Sequence, residues 1–195
     1  MTKQKITILV GPTCGGKTTL QNHMVKHNGY TKIITETDRP TRSGEVDGVD
    51  YNFHNQQYLS LVDPNDVLLP RTWQVINGDI YRYWISKTSL ENFIKTNKYG
   101  VIVLEPRGAR KLIDLLSNEY RIQPFVVEVT APIYQLVNRA GKRGDGFDEV
   151  NRRIDDDEIY LSQFRKEGLV DLTVGSIEEE VEPNKNRASV SSYLI

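Results

Sequence analysis

The chain has 195 residues and a formal net charge of −1, with 38% hydrophobic and 26% charged side chains. This length and composition fit a single globular domain. The near-neutral charge excludes a global basic field of the kind that attracts nucleic acid, so we expect no nucleic-acid partner. Cys14 is the only cysteine in the sequence, which excludes an intramolecular disulfide and suits a reducing cytoplasm.

A short apolar run near the N-terminus, Ile6–Val10, is far too short for a signal-peptide core or a membrane span. We therefore expect a cytoplasmic protein without a membrane partner. The run is β-branched and continuous, and Gly11-Pro12 follows it, so it predicts a buried parallel strand. A helix over 18–27, closed by Asn28-Gly29, and a strand over 32–35 are predicted next.

The middle of the chain predicts a loop and then a small antiparallel sheet. Residues 36–50 hold Gly, Pro, Asp and Arg without periodicity, which is typical of an irregular functional loop. Turn signals at 63–65 and 77–79 separate several short β-like runs. These runs are Val67–Leu69, Trp73–Ile76 and Ile80–Trp84, and a helix is predicted from Ser89 to about Asn97.

Strand–helix alternation returns in the second half of the chain. The predicted elements are strand Val101–Leu104, helix Ala109–Asn118, strand Pro124–Val129, a helix from Pro132 to about Lys142, helix Asp148–Lys166 and strand Leu169–Val174. Alternation at this spacing predicts an α/β fold whose mostly parallel sheet is flanked by helices on both faces.

Residues Gly11–Thr18, the phosphate loop, fit the pattern G-x-x-x-x-G-K-[ST] between a predicted strand and a predicted helix. Small residues let consecutive backbone N–H groups turn inward around phosphate oxygens at the positive end of the helix. Lys17 would neutralise the β- and γ-phosphates, and the Thr18 hydroxyl would ligate Mg²⁺. The pattern thus predicts a nucleoside triphosphate site, with Gly11, Pro12, Thr13, Cys14, Gly15, Gly16, Lys17, Thr18 and Thr19 as candidate contacts.

Cys14 stands in this loop at a position where another glycine could stand. A thiol at a helix N-terminus could be a reactive thiolate, because that environment lowers its pKa. A small residue that the loop merely tolerates is the simpler interpretation, and we favour it.

Two arginines three residues apart, Arg39 and Arg42, lie in the Pro/Gly-rich loop. Their guanidinium groups can approach one phosphate from two sides, and Tyr51 can add a neutral hydroxyl donor. A solvated loop with incidental arginines is the alternative on this segment alone.

The segment Arg39–Phe53 resembles guanylate kinases, because it matches R-x-x-R-x-G-E-x-x-G-x-D-Y-x-F position for position. Together with the phosphate loop upstream, the resemblance covers roughly residues 4–176. It implies a P-loop NTPase core, a small antiparallel acceptor-binding sheet insertion and a helical lid, and it implies ATP as phosphoryl donor with Mg²⁺. The implied division is core 1–35, 86–138 and 160–176, insertion 36–85, lid 139–159 and tail 177–195.

The resemblance also assigns substrate-binding residues. It implies that Arg39, Arg42 and Tyr51 bind the monophosphate of the acceptor, and Thr35 stands where serine is common in the family. Tyr81 is the candidate for a further phosphate hydroxyl, and Tyr83 is its rival. Glu105 is similar in position to an acidic residue that faces the acceptor and the metal, with ordinary surface exposure as the alternative.

The lid is implied by Arg139 and Arg143, which resemble the family pattern R-x-x-x-R-G, and by Arg153 on the return helix. Residues four apart on a helix share a face, so both guanidiniums could point at one anion. A solvated basic helix end is the alternative. With the lid arginines, the implied catalytic residues are Lys17, Arg39, Arg139, Arg143 and Arg153.

The acidic run Asp155–Glu158 invites interpretation as a metal site. Consecutive positions spread around a helix, so we expect a solvated helix face instead. The three histidines lack partner cysteines or ligand spacing, and we assign no role to them.

The part of the sequence that would read the base departs from the family. Guanine selection there uses a glutamate, whose place is held by Thr72 just before Trp73. A carboxylate accepts from guanine N1–H and N2–H₂ together, and a threonine hydroxyl cannot do both. Arg82 and Tyr83 replace an expected glycine and serine, which adds bulk and charge near the base.

These observations predict a nucleoside or deoxynucleoside monophosphate kinase with small-molecule nucleotide substrates. GMP or dGMP is the first choice of acceptor, and a modified deoxypyrimidine is a serious alternative. Two other hypotheses stay open: a kinase of this fold acting on a sugar phosphate, and a non-catalytic protein-binding module. Edge strands of the small sheet could support a homodimer.

Overall fold

A computed structural model describes residues 5–75 and 77–175 of the chain. The chain divides into two compact units. The phosphate-loop unit comprises Lys5–Lys32 and the described residues from Val101 onward, and the small-sheet unit comprises Ile33–Gly100. The predicted tail over 177–195 and the end of the predicted run at Ile76 lie outside the described residues, and the division into core, insertion and lid stays a prediction.

The phosphate-loop unit alternates strands and helices along the chain. Its elements are β1 (Lys5–Val10), α1 (Lys17–Asn28), β2 (Thr31–Lys32), β7 (Tyr99–Val103), α3 (Pro106–Asn118), β8 (Phe125–Thr130), α4 (Ile133–Lys142), α5 (Phe147–Lys166) and β9 (Leu172–Gly175). They form a five-stranded sheet in the order β2-β7-β1-β8-β9, in which β8 pairs in parallel with both β1 and β9. The predicted α/β fold with a parallel sheet is confirmed.

The core of this unit lies on the central strand β1, whose residues Ile6–Val10 are all buried. Burial on both faces explains why the run is continuously apolar rather than alternating. Leu20 and Met24, four residues apart on α1, pack with Leu9 and Val127 in one cluster. The core packing therefore holds the end of β1, from which the phosphate loop begins, in place.

Helices α4 and α5 pack against each other through a second apolar cluster, formed by Leu136, Ala140, Val150 and Ile154. Cys14 of the phosphate loop packs against the same cluster. The arm that we predicted as a lid thus contacts the phosphate loop through apolar side chains as well as polar ones.

A buried carboxylate anchors the far end of α5. Glu128 of β8 is 1% exposed, and Arg165 donates Nε–H to both of its oxygens at 3.0 and 3.1 Å. Arg165 also donates to Glu158 on its own helix. The pKa of the Arg165 guanidinium is raised most by the bond to Glu158 and next by the bonds to Glu128. Pairing of this kind is what allows a charge to remain inside a sheet.

The small-sheet unit holds the remaining elements. They are β3 (Glu36–Thr37), β4 (Asn52–Phe53), β5 (Val67–Gln74), β6 (Ile80–Ser86) and α2 (Lys87–Thr96), with two short 3₁₀ turns before β5. The sheet order is β4-β3-β6-β5. β6 pairs antiparallel with β3 and β5, whereas β3 and β4 pair in parallel. The small sheet is therefore antiparallel, as predicted, except that its edge strand β4 runs parallel to β3.

Several predicted boundaries are wrong because of local hydrogen bonding. Of the predicted strand over 32–35, only Lys32 lies in a strand, β2; residues 33–35 lie outside the strands, and β3 begins at Glu36, within the segment predicted as a loop. The predicted helix start at Ser89 moves to Lys87, because the Ser86 hydroxyl accepts from the Ser89 N–H and so caps α2. The runs Val67–Leu69 and Trp73–Ile76, predicted as separate strands, are joined in β5 through Gln74.

Two further boundaries in the phosphate-loop unit also differ. α3 begins at Pro106 rather than Ala109, and β9 begins at Leu172 rather than Leu169. Asp171 explains the second shift, because its carboxylate and N–H bond to the backbone of Val126 and hold this residue outside the strand ladder. Among the described residues, no helix combines the length and apolar character that crossing a membrane requires.

Candidate active site

The phosphate loop has a backbone that only glycine can form at its ends. Gly11 has φ 143°, and a Cβ there would lie 2.2 Å from the Val129 carbonyl oxygen. A Cβ on Gly15 would lie 2.8 Å from the Pro12 carbonyl oxygen, which accepts a 2.9 Å bond from the Gly15 N–H. Gly16 caps α1 in the left-handed region at φ 94°. The glycines of the motif are therefore required by close backbone packing.

Lys17 begins α1 and its ammonium folds back over the loop. Its Nζ donates to the carbonyl oxygens of Gly11 and Pro12, both at 2.7 Å. Thr18 and Thr19 follow on the first turn of the helix and are exposed. The charge of Lys17 and the Thr18 hydroxyl thus both belong to the segment where the helix dipole is positive.

The two predicted lid arginines of α4 both reach the phosphate loop. Arg139 donates Nη1–H to the Cys14 carbonyl oxygen at 3.2 Å, and Arg143 donates Nη1–H to the Cys14 Sγ at 3.4 Å. Both contact one residue, as residues four apart on a helix would. Cys14 itself adopts φ 60°, a left-handed conformation that is uncommon outside glycine. This conformation aims its carbonyl and its thiol at the arginines.

Arg153 lies on α5, where its Nε donates to Glu149 one helical turn earlier at 2.6 Å. The distance describes a charge-assisted bond along the helix surface. The implied role of Arg153 above the transferring phosphoryl group stays a prediction.

Asp157 corrects the expectation that the acidic run on α5 is a solvated face. Its side chain is buried, and one carboxylate oxygen accepts from both the N–H and the hydroxyl of Thr13, at 2.7 and 2.8 Å. Its neighbour Asp155 is exposed, as expected. Asp157 therefore ties the phosphate loop to α5, 144 residues away in sequence.

Glu105 has a structural contact of its own. Its carboxylate accepts from the N–H groups of Gly108 at 2.8 Å and Arg107 at 3.1 Å, so it caps the N-terminus of α3. A carboxylate at this position is stabilised by the unpaired N–H groups and by the helix dipole. The contact that the resemblance implied with the acceptor stays a prediction.

In the small-sheet unit, Arg39 is buried and held by Glu45. Its two terminal nitrogens donate to the two carboxylate oxygens, at 2.7 and 2.5 Å, and Nη1 also donates to the Pro40 carbonyl. The Arg39 guanidinium lies 5.0 Å from the ring centre of Tyr51 and 5.3 Å from that of Phe53. The fork of Arg39 is thus fixed on one edge by a carboxylate and on its faces by aromatic rings.

Glu45 also accepts from the Arg42 backbone N–H at 2.8 Å, so one carboxylate organises both arginines of the loop. Burial opposes ionisation of Glu45, but the hydrogen bonds from Arg39 and Arg42 outweigh burial and lower its pKa. For Arg39, burial alone would lower the pKa, and the bond to Glu45 raises it overall. Tyr51 has a raised pKa because of burial and then because of Tyr83, so its hydroxyl stays a neutral donor.

The candidate residues of β6 divide between the two faces of the small sheet. Tyr83 lies edge-on to Tyr51 at 6.2 Å between ring centres, and Tyr81, two residues away, shares its face. Thr72 pairs with Arg82, so both side chains lie on the opposite face, where Arg82 bonds to Asp38. The structure brings Tyr83 to Tyr51, whereas the Tyr81 hydroxyl donates to Asp79 at 3.1 Å and Thr72 lies on the other face. Thr35, half-buried before β3, accepts from the Asn52 N–H through its backbone.

Comparisons with known proteins agree with this geometry. The family model described as guanylate kinase matches residues 3–156. The chain belongs to the guanylate kinase family. A guanylate kinase of Tropheryma whipplei (strain Twist) is 28% identical over 154 residues, which cover 76% of this chain and 75% of that protein. A guanylate kinase of Ehrlichia chaffeensis is 26% identical over 160 residues, covering 80% and 72%. The crystal structure of guanylate kinase from Anaplasma phagocytophilum shares the fold, with a TM-score of 0.62 at 17% identity, covering 91% and 79%.

Two residues of this guanylate kinase family member had no assigned role from the sequence. Glu45 is the fixed glutamate of the motif R-x-x-R-x-G-E, whose two arginines are its partners Arg39 and Arg42. Opposite charges within one short motif were therefore a usable signal. Asp157 falls on the apolar stripe of α5, three residues after Ile154 and four before Leu161, both buried. A carboxylate on the buried stripe of a helix indicates a specific partner.

The phosphate loop of this family member also fits a nucleoside triphosphate with its metal. The backbone packs so closely at Gly11 that a Cβ there would meet the Val129 carbonyl, and the Lys17 ammonium lies over the loop. No group of three His, Cys, Asp or Glu side chains in the part of the chain that the structure describes could cage a metal ion. Mg²⁺ is commonly held by nucleotide phosphates, water and a hydroxyl, so the role of Thr18 as its ligand stays a prediction.

Proposed function

We propose that this chain is an ATP-dependent nucleoside monophosphate kinase that transfers the γ-phosphate to GMP or dGMP. The observation that carries the proposal is the convergence of three cations on one loop. Lys17 bonds to the loop carbonyls, and Arg139 and Arg143 both bond to Cys14. Such a concentration of positive charge at a helix N-terminus is suited to a polyphosphate.

On the donor side, the chain supplies charge and position. Lys17 would move from the carbonyls of Gly11 and Pro12 to the β- and γ-phosphates, and Arg139 and Arg143 would neutralise charge that develops on the transferred group. Mg²⁺, when bound with the nucleotide beside Thr18, supplies further neutralisation of the phosphate oxygens. The implied role of Arg153 is the same as that of the other two arginines.

On the acceptor side, the nucleophile is an oxygen of the monophosphate, which is already anionic. No general base is therefore required, and the barrier falls through positioning and charge neutralisation. Arg39 and Arg42 would bind this phosphate, with the hydroxyl of Tyr51 as a neutral donor. The pairing of Arg39 with Glu45 supports this role, because it fixes the rotamer of the Arg39 side chain before the acceptor binds.

A coupled assay of ADP formation with ATP, Mg²⁺ and a panel of acceptors tests the proposal. The panel is GMP, dGMP, dTMP, dUMP, dCMP, AMP and ribose bisphosphate. We expect the highest kcat/KM with GMP or dGMP. Turnover of the ribose bisphosphate alone would replace the proposal with a sugar-phosphate kinase, and no turnover with any acceptor would favour a protein-binding module.

The cellular setting remains part of the proposal. A single cysteine in the sequence suits the reducing cytoplasm that we propose for this chain. Nucleotides are its proposed partners, and the homodimer through the small sheet stays a prediction.

A further inference from the structure

The register between β5 and β6 decides which side chains of the small sheet accompany the acceptor residues. Arg71 pairs directly with Tyr83, and Trp73 pairs directly with Tyr81. Directly opposed residues of an antiparallel pair project from the same face. Arg71 and Trp73 therefore lie on the face of the two tyrosines, and Tyr83 in turn contacts Tyr51.

One extra residue in β5 sets this register. Val67 pairs with Ser86 where β5 begins, and continuing that count would bring Thr72 opposite Tyr81. A β-bulge, in which Leu69 adopts φ 53°, adds one residue to β5 before the pairing resumes. A shift of one residue turns every later side chain of the strand to the other face. The bulge thus removes Thr72 from the tyrosine face and puts Arg71 there.

Arg71 is held in a defined position on this face. Its guanidinium lies 5.0 Å from the ring centre of Trp73, and both side chains are half-buried, whereas Thr72 and Gln74 between and after them are exposed. Arg39 lies 5.0 Å from the Tyr51 ring on the same face. The face therefore carries one arginine beside the proposed phosphate site and a second arginine further along the sheet.

We propose that Arg71 reads the base of the acceptor nucleotide through a pair of neighbouring hydrogen-bond acceptors, with Trp73 holding its guanidinium plane. This inference rests on the proposed kinase function. A guanidinium has five N–H donors in a planar fork and no acceptor. It matches O6 and N7 of guanine or O2 and N3 of cytosine. Adenine and thymine present no such adjacent pair, because a donor stands beside or between their acceptors.

A guanidinium and a carboxylate would recognise different atoms of the guanine base. A carboxylate accepts from guanine N1–H and N2–H₂, and so it needs the 2-amino group. A guanidinium that binds O6 and N7 does not contact that group. The two modes are separable with base analogues: IMP lacks the 2-amino group but retains O6 and N7, and the 7-deaza analogue of GMP retains the 2-amino group but lacks N7.

The first experiment measures kcat and KM for GMP, dGMP, CMP, dCMP, AMP and dTMP in the full chain and in three variants. We expect guanine or cytosine acceptors to be best, and Arg71→Ala to lower their kcat/KM by about 5-fold to 150-fold, mainly through KM. Arg71→Lys should lose the same selectivity, because an ammonium keeps the charge but not the fork. Gln74→Ala, on the other face of β5, is the matched control and should leave these values unchanged.

The second experiment compares GMP, IMP and 7-deaza-GMP. The unmodified chain should use IMP within about 3-fold of GMP and lose about 10-fold with 7-deaza-GMP, and Arg71→Ala should abolish that second difference. If a cytosine nucleotide is the best acceptor, 3-deaza-CMP takes the place of 7-deaza-GMP. Thr72→Glu, which restores the glutamate of the family, should not restore discrimination against IMP, because the bulge turns position 72 away.

The outcomes separate this inference from the kinase proposal. Absence of turnover with every nucleotide overturns the kinase proposal itself. Unchanged acceptor selectivity in Arg71→Ala overturns only the inference about Arg71. Turnover with AMP or dTMP as the best acceptor overturns that inference and the proposed guanine acceptor, but leaves the assignment as a nucleoside monophosphate kinase in place. Thermal unfolding and the KM for ATP, measured on each variant, exclude a general loss of folding as the cause of an effect.

Discussion

The phosphate loop and the Pro/Gly-rich loop with Arg39 and Arg42 both contain cations, but they hold them differently. Lys17 donates to two backbone carbonyls, whereas Arg39 donates with both terminal nitrogens to the Glu45 carboxylate. A bond to a neutral carbonyl can be exchanged for a bond to phosphate while the cation keeps its charge available. A buried ion pair is different, because parting its members leaves two uncompensated charges.

The difference indicates that the two loops have different tasks. We expect Lys17 to act as a movable charge whose contribution appears in catalysis rather than in stability. Arg39 is a fixed charge, and its pairing with Glu45 should appear in stability as well as in acceptor binding.

The largest expected effect is the loss of catalysis in Lys17→Ala. Removing a cation that binds the transferring phosphates should lower kcat by about 10³-fold or more. The free energy of unfolding, measured by urea denaturation, should stay close to that of the unmodified chain, because the half-buried Lys17 donates to two neutral carbonyls and their loss leaves no buried charge unpaired. Retained turnover would contradict the assignment of the phosphate loop as the donor site.

The next effect is on stability, in Glu45→Gln. This change leaves the buried Arg39 guanidinium without its counter-charge, and we expect the free energy of unfolding to fall by about 3 kcal/mol. The double variant Arg39→Met/Glu45→Gln should recover part of the loss, because it removes the uncompensated charge. Equal stability of Glu45→Gln and the unmodified chain would show that the pair is not a fixed element.

The same ion pair predicts a pH dependence. The pKa of Glu45 is lower in the folded chain than its ordinary value of 4.5. A lowered folded pKa contributes stability that is complete above the ordinary pKa and is lost as the pH falls through the folded value. The free energy of unfolding of the unmodified chain should therefore fall below about pH 4.5 more steeply than that of Glu45→Gln.

The smallest effect concerns the bond between Asp157 and Thr13. Asp157→Ala removes an acceptor of two bonds to the phosphate loop, and we expect the KM for ATP to rise about 10-fold with a smaller change in kcat. Asp157→Asn should stay within about 3-fold, because the amide oxygen can accept both bonds. The exposed Asp155→Ala is the matched control.

A double variant sharpens the last prediction. Thr13→Val removes the hydroxyl that bonds to Asp157 and should not add its full effect to that of Asp157→Ala, because the two changes remove the same contact. Additive effects on KM would mean that Asp157 acts elsewhere, and the proposed coupling between α5 and the loop would be discarded.

The parts of the fold that local patterns determine could be predicted from the sequence. The continuous apolar strand before Gly11 and the spacing of Lys17 after it specified the phosphate loop, because both depend on neighbouring residues only. The helix cap by Glu105 was missed for a different reason. A glutamate before a proline suits a cap as well as a ligand, and only the backbone geometry of α3 shows that Glu105 caps the helix.

The bulge in β5 and the burial of Asp157 depend on contacts that the sequence does not express locally. Leu69 is neither glycine nor asparagine, so nothing in its residue type indicated a left-handed conformation that shifts the register. Asp157 bonds to a residue 144 positions away. The resemblance alone therefore assigned Thr72 to the place of the base-reading glutamate, and the spread of consecutive positions around a helix placed Asp157 on a solvated face.

The aromatic rings and the carboxylate around Arg39 have an energetic consequence for acceptor binding. An arginine that moves freely loses rotamer entropy when it grips a ligand, and immobilising such a side chain costs about 1 kcal/mol. Arg39 has already lost this freedom during folding, between the rings of Tyr51 and Phe53 and against Glu45. The acceptor that we propose for Arg39 would therefore meet a rigid receptor, and its binding should carry a smaller entropic cost than an unrestrained guanidinium would impose.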